Sequence, residues 1–319
     1  MEQLLIVSPS PHVHTSRTVS RLMLNVIIAL IPAVVCALYY FGIGAAIVIV
    51  TSIVGCVAAE WIITRYVLRR QRSTIGNFSA ILTGLLLALN LPSNLPVWTV
   101  LIGCVIAIGI GKMTFGGLGC NIFNPALVGR VFLLLSFPVA MTTWPLPVEN
   151  RWNYFDATTG ATILGRIKTG ELDASTLDLW DKSIGMAGGS IGEVGAITLL
   201  IGLAYLLLTK TITWHIPVSI IATVAVFSAC IGAHVGVELL SGGLLLGAIF
   251  MATDYVTSPM CHRGMLVYGV MIGIITVIIR HWGAYPEGMS FAILIMNGVT
   301  PLINRYIKPR KFGERRVAA

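Results

Sequence analysis

Long apolar runs recur from one end of the chain to the other, and they limit the possible folds more than any other feature. The runs are 21–40, 43–64, 77–91, 97–112, 121–137, 193–209, 213–230, 240–254, 264–280 and 288–304. Charged residues make up only 11% of the chain, well below the share found in soluble domains. Runs of this length suit α-helices that cross a bilayer. The sequence therefore predicts an all-α integral membrane protein with about ten transmembrane helices.

Lysine and arginine are distributed unevenly over the two sides of this predicted helix set. Fifteen of the 21 basic residues fall at one set of helix ends and five at the other, while Arg130 lies inside the fifth run. Cytoplasmic loops of membrane proteins carry the excess of Lys and Arg. The distribution therefore predicts that both termini are cytoplasmic. It also makes the basic residues orientation signals rather than a nucleic-acid-binding face.

The only long polar segment, 138–192, divides the runs into two sets of five, which an odd helix count would orient oppositely as an inverted 5+5 repeat. The predicted units are a cytoplasmic amino-terminal segment 1–20, a first repeat 21–137, an extracytoplasmic loop 138–192, a second repeat 193–304 and a basic cytoplasmic tail 305–319. In such folds, short helices at matching positions point to the central site. Here they are the third and eighth helices and the starts of the fifth and tenth.

A small, hydroxyl-rich stretch, DATTGATIL, lies inside that loop at 156–164. It fits the pattern D-x-x-[ST]-G-A-[ST], formed by Asp156, Thr159, Gly160, Ala161 and Thr162. The pattern resembles the flavinylation site of the membrane redox subunits of the Rnf and sodium-pumping NADH:quinone oxidoreductase families. The resemblance implies that a flavin transferase joins FMN to Thr162 through a phosphodiester. A threonine hydroxyl is a poor nucleophile unless an enzyme activates it. We expect this hydroxyl to project into the exterior medium.

Three further segments extend the resemblance over nearly the whole chain. They are SPSPHVHTSRTVSRLML at 8–24, FMATDYVTSP at 250–259 and GMSFAILIMNGVTPLIN at 288–304. The segment before the first helix is short, which favours the RnfD family of the Rnf complexes over the NqrB family of the sodium-translocating NADH:quinone oxidoreductases. One departure is Tyr255, where the family often has proline.

The resemblance implies a membrane electron-transfer subunit of an ion-translocating ferredoxin:NAD⁺ oxidoreductase in the bacterial inner membrane. Its partners would be Rnf subunits A, B, C, E and G, and the coupled ion Na⁺ or H⁺. A second, non-covalent flavin, riboflavin in some relatives, is expected among the helices. The sequence has neither a Rossmann glycine pattern nor an iron–sulfur cysteine set, so NAD and ferredoxin sites are expected on other subunits.

A different function class is also open at this point. An inverted five-helix repeat resembles urea-transporter architecture, and a fold does not determine a function. The alternative is a passive channel or transporter for small solutes. Such a channel has no need for a flavin-acceptor motif in its external loop, so the state of Thr162 separates the two hypotheses.

Polar residues within or beside the apolar runs are candidates for a site in the membrane. Arg130 could bind a structural partner or a flavin, and Asn121 and Asn124 could cap a half-helix whose positive end faces a ligand. Asp254 and Glu60 stand at predicted cytoplasmic helix ends, where a solvated or capping role competes with a place on an ion pathway. Glu238 lies close to the predicted outer surface and is expected to be hydrated. The six cysteines are scattered without a CxxC pair, and only Cys120, near a predicted helix start, is a candidate for a metal or redox role.

Overall fold

A computed structural model describes residues 18–69, 75–145, 147, 159–160, 162–168, 189–193, 195–283, 285 and 287–308. The first part of the chain forms α1 (Val19–Phe41), α2 (Ile43–Ile62), α3 (Ser79–Leu89), α4 (Val97–Ile108) and α5 (Pro125–Ser136). Two π-helical turns, Ile63–Val67 and Gly109–Met113, continue α2 and α4, and a 3-10 turn at Ile75–Asn77 precedes α3.

The predicted loop 138–192 contains short elements. These are α6 (Pro138–Thr142), β1 (Trp144–Pro145), β2 (Thr159–Gly160) and α7 (Ile163–Lys168). The two strands are antiparallel, with Trp144 opposite Gly160 and Pro145 opposite Thr159. This pairing brings the residues just before Thr162 next to the end of α6.

The second part of the chain is again helical. It forms α8 (Ala196–Leu208), α9 (His215–Ile231), α10 (Val235–Leu240), α11 (Leu244–Leu246) with a π-helical turn at Gly247–Met251, α12 (His262–Trp282) and α13 (Met289–Tyr306). A helix described here lies at each apolar run predicted from the sequence, with ends that differ by a few residues. The predicted class, a mostly helical protein that crosses the membrane several times, is confirmed.

The helices differ greatly in length. By length and composition, three spans of the described chain could cross a bilayer, namely Val19–Phe41, Ile43–Val67 and His262–Trp282. By contrast, α3 has 11 residues and α5 has 12. At 1.5 Å per residue they extend roughly 16–18 Å, about half of the hydrocarbon core. The count of ten spans therefore stays a prediction.

Apolar side chains cover the outside of the helices. Val35, Val50, Val54, Leu135 and Val226 are all at least 59% exposed. A water-soluble protein would bury much of this surface, whereas lipid tails solvate it at no cost. The exterior thus supports the membrane environment that the composition predicts.

Small residues allow the helices to approach each other closely inside this apolar shell. A Cβ atom added at Gly84 of α3 would lie 2.7 Å from the carbonyl oxygen of Ser52 in α2. A Cβ atom added at Gly129 of α5 would lie 2.8 Å from the carbonyl oxygen of Gly103 in α4. Membrane helices associate through such close packing because lipid offers no hydrophobic driving force between them.

Non-helical backbone follows the short helix α3 and is buried by protein. The carbonyl oxygen of Leu89 accepts a hydrogen bond from the N–H of Gly192 at 2.7 Å, and that of Leu91 accepts one from Ile191 at 3.1 Å. Irregular backbone is tolerated at membrane depth only where protein satisfies its polar groups. The segment 189–193 has that role here.

Candidate functional site

Thr162 stands immediately before α7 and caps it. Its Oγ1 accepts a hydrogen bond from the backbone N–H of Gly165 at 3.1 Å, and its carbonyl oxygen accepts one from Arg166 at 2.9 Å. The residue is only 8% exposed. The expectation that the hydroxyl projects into the exterior medium is therefore wrong, because the cap turns it back toward α7.

The other residues of the motif are only partly described. Gly160 is in the strand opposite Trp144, and the backbone of Thr159 is opposite Pro145. Asp156 and Ala161 lie outside the described residues. The structure therefore places Thr159, Gly160 and Thr162 at one end of the molecule, beside α6, and leaves the role of the motif's aspartate a prediction.

A cavity of about 210 Å³ adjoins Thr162, and we call it the Thr162 cavity. Its lining includes the aromatic side chains of Trp144 and Tyr285, the apolar side chains of Leu134 and Met141, and the carboxylate of Glu287. Tyr285 also stacks on Phe291 of α13, with ring centroids 5.7 Å apart. The cavity therefore combines flat aromatic walls with one charged group.

Arg130 supports that charged group from α5. Its Nη2 forms an ion pair with Oε2 of Glu287, its Nη1 donates to Oγ of Ser290, and its Nε donates to the carbonyl oxygen of Asn90 at 3.3 Å. Both members of the pair are buried. Among the described residues, the second carboxylate oxygen of Glu287, Oε1, has no hydrogen-bond partner.

Sequence reasoning missed Glu287 because it stands in a short polar connection, PEGMS, and looks like a loop residue. The one available signal was Arg130 itself. A cation inside an apolar run requires a partner of opposite charge, and acidic residues are scarce in this chain.

A second cavity, of about 70 Å³, lies at the opposite end of α5, and we call it the Asn121 cavity. Asn121, Asn124, Asp254 and Lys112 all line it, together with apolar side chains such as Phe250. The structure thus brings three of the predicted site residues together. Arg130, which the sequence analysis grouped with the two asparagines, belongs instead beside the Thr162 cavity.

Asn124 caps α5, as expected of one of the two asparagines. Its Oδ1 accepts hydrogen bonds from the N–H groups of Ala126 at 3.0 Å and Leu127 at 3.4 Å, and its Nδ2 donates to the carbonyl oxygen of Met251 at 3.2 Å. Such a side chain satisfies N–H groups that the first turn leaves without helical partners. Asn121 instead donates to the carbonyl oxygen of Phe123 at 3.1 Å.

A glycine-rich turn positions the two asparagines. Gly116, Gly117 and Gly119 have φ values of +115°, +105° and +93°, in a region that other residues rarely adopt. The turn folds back on α4, and the N–H of Gly117 donates to the carbonyl oxygen of Lys112 at 3.2 Å. The sequence GGLG is therefore needed for the shape of the chain that enters α5.

Glu60 forms a buried ion pair with Lys112. The Nζ atom of Lys112 lies 2.6 Å from Oε2 of Glu60 and 2.7 Å from Oγ of Ser79. Glu60 is 1% exposed and Lys112 is 2% exposed, so the solvated or capping role weighed for Glu60 is wrong. Asp254 is partly buried, and its Oδ2 accepts a hydrogen bond from Thr257 at 3.3 Å.

A third buried ion pair lies near α7. Arg280 of α12 donates to Oε2 of Glu238 at 2.7 Å and to the carbonyl oxygen of Ser241 at 2.7 Å. Glu238 is buried, so the expectation of a hydrated side chain is wrong. Lys168, the last residue of α7, donates to the carbonyl oxygens of Arg280, at 3.1 Å, and of Gly283. This contact docks α7 on the end of α12.

Comparison with known proteins identifies the chain's relatives. The family model described as "NQR2, RnfD, RnfE family" matches residues 6–313. The chain belongs to this family. It is 44% identical over 316 residues to the D subunit of a Na⁺-translocating ferredoxin:NAD⁺ oxidoreductase complex from Acetobacterium woodii, covering 98% of this chain and 96% of the relative.

Two other relatives span the chain to a similar extent. The D subunit of a proton-translocating ferredoxin:NAD⁺ oxidoreductase complex from Clostridium ljungdahlii is 42% identical, with 99% of this chain and 98% of the relative covered. The D subunit of an ion-translocating oxidoreductase complex from Stutzerimonas stutzeri is 39% identical, with 93% and 92% covered. The first two relatives are named for different ions at nearly equal identity, so overall similarity does not assign the ion.

Cys120 is exposed and free. Within the described part of the chain, no group of three or more His, Cys, Asp or Glu residues is arranged to hold a metal ion. A metal or redox role for Cys120 therefore gains no support from its surroundings.

Proposed function

We propose that Thr162 carries FMN through a phosphodiester, and that the chain is the RnfD-type electron-transfer subunit of a membrane-bound, ion-translocating ferredoxin:NAD⁺ oxidoreductase. The observation that supports this most directly is the position of Thr162 at the edge of a cavity with aromatic walls and a buried carboxylate. The names of the relatives agree with this function.

The residues of the Thr162 cavity suit a flavin. The isoalloxazine ring is flat and aromatic, so Trp144 and Tyr285 offer it stacking surfaces. A flavin also needs acceptors for its N–H and hydroxyl groups, and Oε1 of Glu287 has no partner among the described residues. When bound, the flavin would supply one- and two-electron chemistry, while the protein positions it and adjusts its electronics.

Attachment requires that the hydroxyl of Thr162 be reachable at some stage. The transferase would act before α7 docks through Lys168 on the carbonyl oxygens of Arg280 and Gly283. Docking would then enclose the attached flavin. The cap can persist after modification, because an esterified Oγ1 keeps a lone pair that can accept from Gly165.

The Asn121 cavity is the candidate site for the second, non-covalent flavin, riboflavin in our proposal. Asn121 and Asn124 offer amide groups there, although its volume of about 70 Å³ requires the walls to separate on binding. Helix α5 connects the two cavities, with Asn124 at one end and Leu134 lining the other. Asn124 and Leu134 are ten residues apart, which is about 15 Å along a helix. Electrons would therefore pass between the two cavities along α5.

The ten-span, inverted 5+5 arrangement, resembling urea-transporter architecture, is part of this proposal. Its support is a repeated packing pattern: α2 packs on α3 and α4, and α4 packs on α5. In the second half, α9 packs on α12 and on the π turn after α11, and α12 packs on α13. Lys112 and Arg280, which were counted on opposite sides of the membrane, are each neutralised by a buried ion pair. Leaving both out of the count still leaves the excess of Lys and Arg on the same side. Both termini would be cytoplasmic, in the inner membrane of a bacterial cell.

Within the complex, the chain would work with Rnf subunits A, B, C, E and G and would be matured by a flavin transferase. Glu60 and Asp254 are candidates for a pathway of Na⁺ or H⁺, because Asp254 and the partner of Glu60, Lys112, line the same cavity. Full-length similarity to the D subunits of oxidoreductases favours this function over a solute channel. It also favours the RnfD type over the NqrB type that belongs to NADH:quinone oxidoreductases.

The test is to produce the chain together with its flavin transferase and to examine it on a denaturing gel. We expect a fluorescent band and a mass increase of one FMN less one water. Thr162→Ala should lose both, and Thr162→Ser, which keeps a hydroxyl, should retain them. A wild-type chain from its native host that carries no flavin would overturn the proposal.

Sidedness has its own test. Single cysteines placed in 138–192 should react with an impermeant reagent from outside, whereas a cysteine in the 305–319 tail should react only from inside. Labelling of the tail from outside would contradict the proposed orientation without affecting the flavin.

A further inference from the structure

We propose that Glu287 is the residue that touches the flavin of the Thr162 cavity, accepting a hydrogen bond from the ring through Oε1, and that its charge lowers the flavin's reduction potential. Arg130 is the positioning residue that holds this carboxylate in place. The inference rests on the FMN attachment proposed above.

The two carboxylate oxygens of Glu287 differ in their hydrogen bonding. Oε2 is engaged by Arg130, whereas Oε1 has no partner among the described residues, and the side chain is buried at the cavity wall. An ionised carboxylate is an acceptor only, and a buried acceptor without a donor is costly. A flavin that brings a donor into the cavity would complete the hydrogen bonding of Glu287.

The charge of Glu287 and the aromatic side chains of the cavity indicate which part of the flavin would supply that donor. The phosphate at Thr162 is an anion and would be repelled by the carboxylate, so the phosphate does not lie at Glu287. The ring has an N–H group at its edge, and Trp144 and Tyr285 provide flat surfaces beside Glu287. The ring edge is therefore the part that meets Oε1.

Arg130 orients the carboxylate through their ion pair. It is anchored at two other points, by the carbonyl oxygen of Asn90 and the hydroxyl of Ser290, so the guanidinium cannot follow a change in the flavin. Glu287 then presents a fixed negative charge at the ring edge, which opposes the addition of an electron.

The experiment measures the midpoint potential of the covalent FMN in the purified chain by spectroelectrochemical titration. We expect Glu287→Gln to raise the potential, shifting the equilibrium with the one-electron-reduced flavin at least tenfold, which is about 59 mV for one electron. Glu238→Gln is the matched control, because it also removes a buried carboxylate paired with a cation, but Glu238 does not line the Thr162 cavity. Its FMN should keep the wild-type potential.

A second variant and a wild-type measurement cover the case in which Glu287→Gln does not fold. Glu287→Asp keeps the charge and withdraws it by one methylene, so its potential should lie nearer to the wild-type value. In the wild type, reduction of the flavin should shift a carboxylate band in the infrared difference spectrum.

The outcomes separate the two proposals. Flavin present with an unchanged potential in Glu287→Gln, or no carboxylate band in the wild-type difference spectrum, overturns this inference and leaves the FMN attachment intact. A wild-type chain without flavin overturns the attachment and the inference together. A raised potential in Glu287→Gln and in Glu238→Gln alike would also overturn it, because the effect would then not be local.

Discussion

The two cavities at the ends of α5 each have a buried ion pair beside them, and the pairs differ in one respect. In the Asn121 cavity, the ammonium of Lys112 contacts both Glu60 and Ser79. In the Thr162 cavity, Glu287 is held by Arg130 through one oxygen and leaves the other without a partner among the described residues. One pair lines its cavity with a cation, and the other lines it with an anion.

This difference indicates different tasks for the two ends. A carboxylate with one oxygen unengaged within the described structure is prepared to accept a hydrogen bond from a ligand. A lysine that already contacts two oxygens acts first as a structural link between α2, α3 and the end of α4.

The first prediction concerns the Glu60–Lys112 pair. Lys112→Met should lower the free energy of unfolding by about 3–5 kcal/mol, because it leaves the carboxylate of Glu60 buried without its cation. The double variant Lys112→Met/Glu60→Gln should recover most of the loss. The measurement is thermal unfolding in detergent, and a wild-type unfolding temperature for Lys112→Met alone would contradict the structural role.

The second prediction concerns the helix that joins the two cavities. Gly129→Ala should cost about 1–3 kcal/mol of stability by overpacking, because its new Cβ would lie 2.8 Å from the carbonyl oxygen of Gly103. Gly298→Ala is the control, since its Cβ would lie 3.6 Å from the ring of Phe123, an ordinary contact. Displacement of α5 should change the flavin content at both cavities, and an effect on only one would show that they are independent.

The third prediction separates the cavities. Asn124→Ala should cost about 1 kcal/mol through the loss of the cap of α5. It should also reduce the riboflavin that is extracted on denaturation, while the fluorescent band of covalent FMN stays unchanged. Asn121→Ala should reduce riboflavin with a smaller loss of stability, because Asn121 caps no helix. Unchanged riboflavin in both variants would remove the Asn121 cavity as a flavin site.

The smallest effect is expected at Cys120. Cys120→Ser should change the free energy of unfolding by less than about 0.5 kcal/mol, as is usual for exposed positions. Flavin content and midpoint potential should equal those of the wild type. A loss of either property would restore the redox role considered from the sequence.

The helices were largely predictable, since a helix lies at each apolar run. The third and eighth helices were expected to be short, and α3 has 11 residues while α11 and its π turn cover Leu244–Met251. The elements α6, α7 and α10 and the β1–β2 pairing were not predicted. They are held by tertiary contacts such as that of Lys168 with the end of α12, which leave no periodic signal in the sequence.

The site was predictable only in part. The motif around Thr162 and the polar residues Asn121, Asn124 and Arg130 stand out in the sequence, because polar groups are rare in apolar runs. The sequence does not show which of these residues lie together. Asn124 caps the same short helix that carries Arg130, yet the two residues lie beside different cavities. Glu287, the partner of Arg130, looked like an ordinary loop residue.

By itself, the sequence determined that the chain is a helical membrane protein and that Arg130, inside an apolar run, needs a partner, since burying an unpaired charge is prohibitively costly. Only the tertiary structure decided which partner Arg130 has, and showed that Lys112 is buried beside a partner as well. Arg130 meets Glu287 from 157 positions away and Lys112 meets Glu60 from 52 positions away. A buried charge is costly wherever it lies unpaired, whereas the partner it finds depends on which helices pack together.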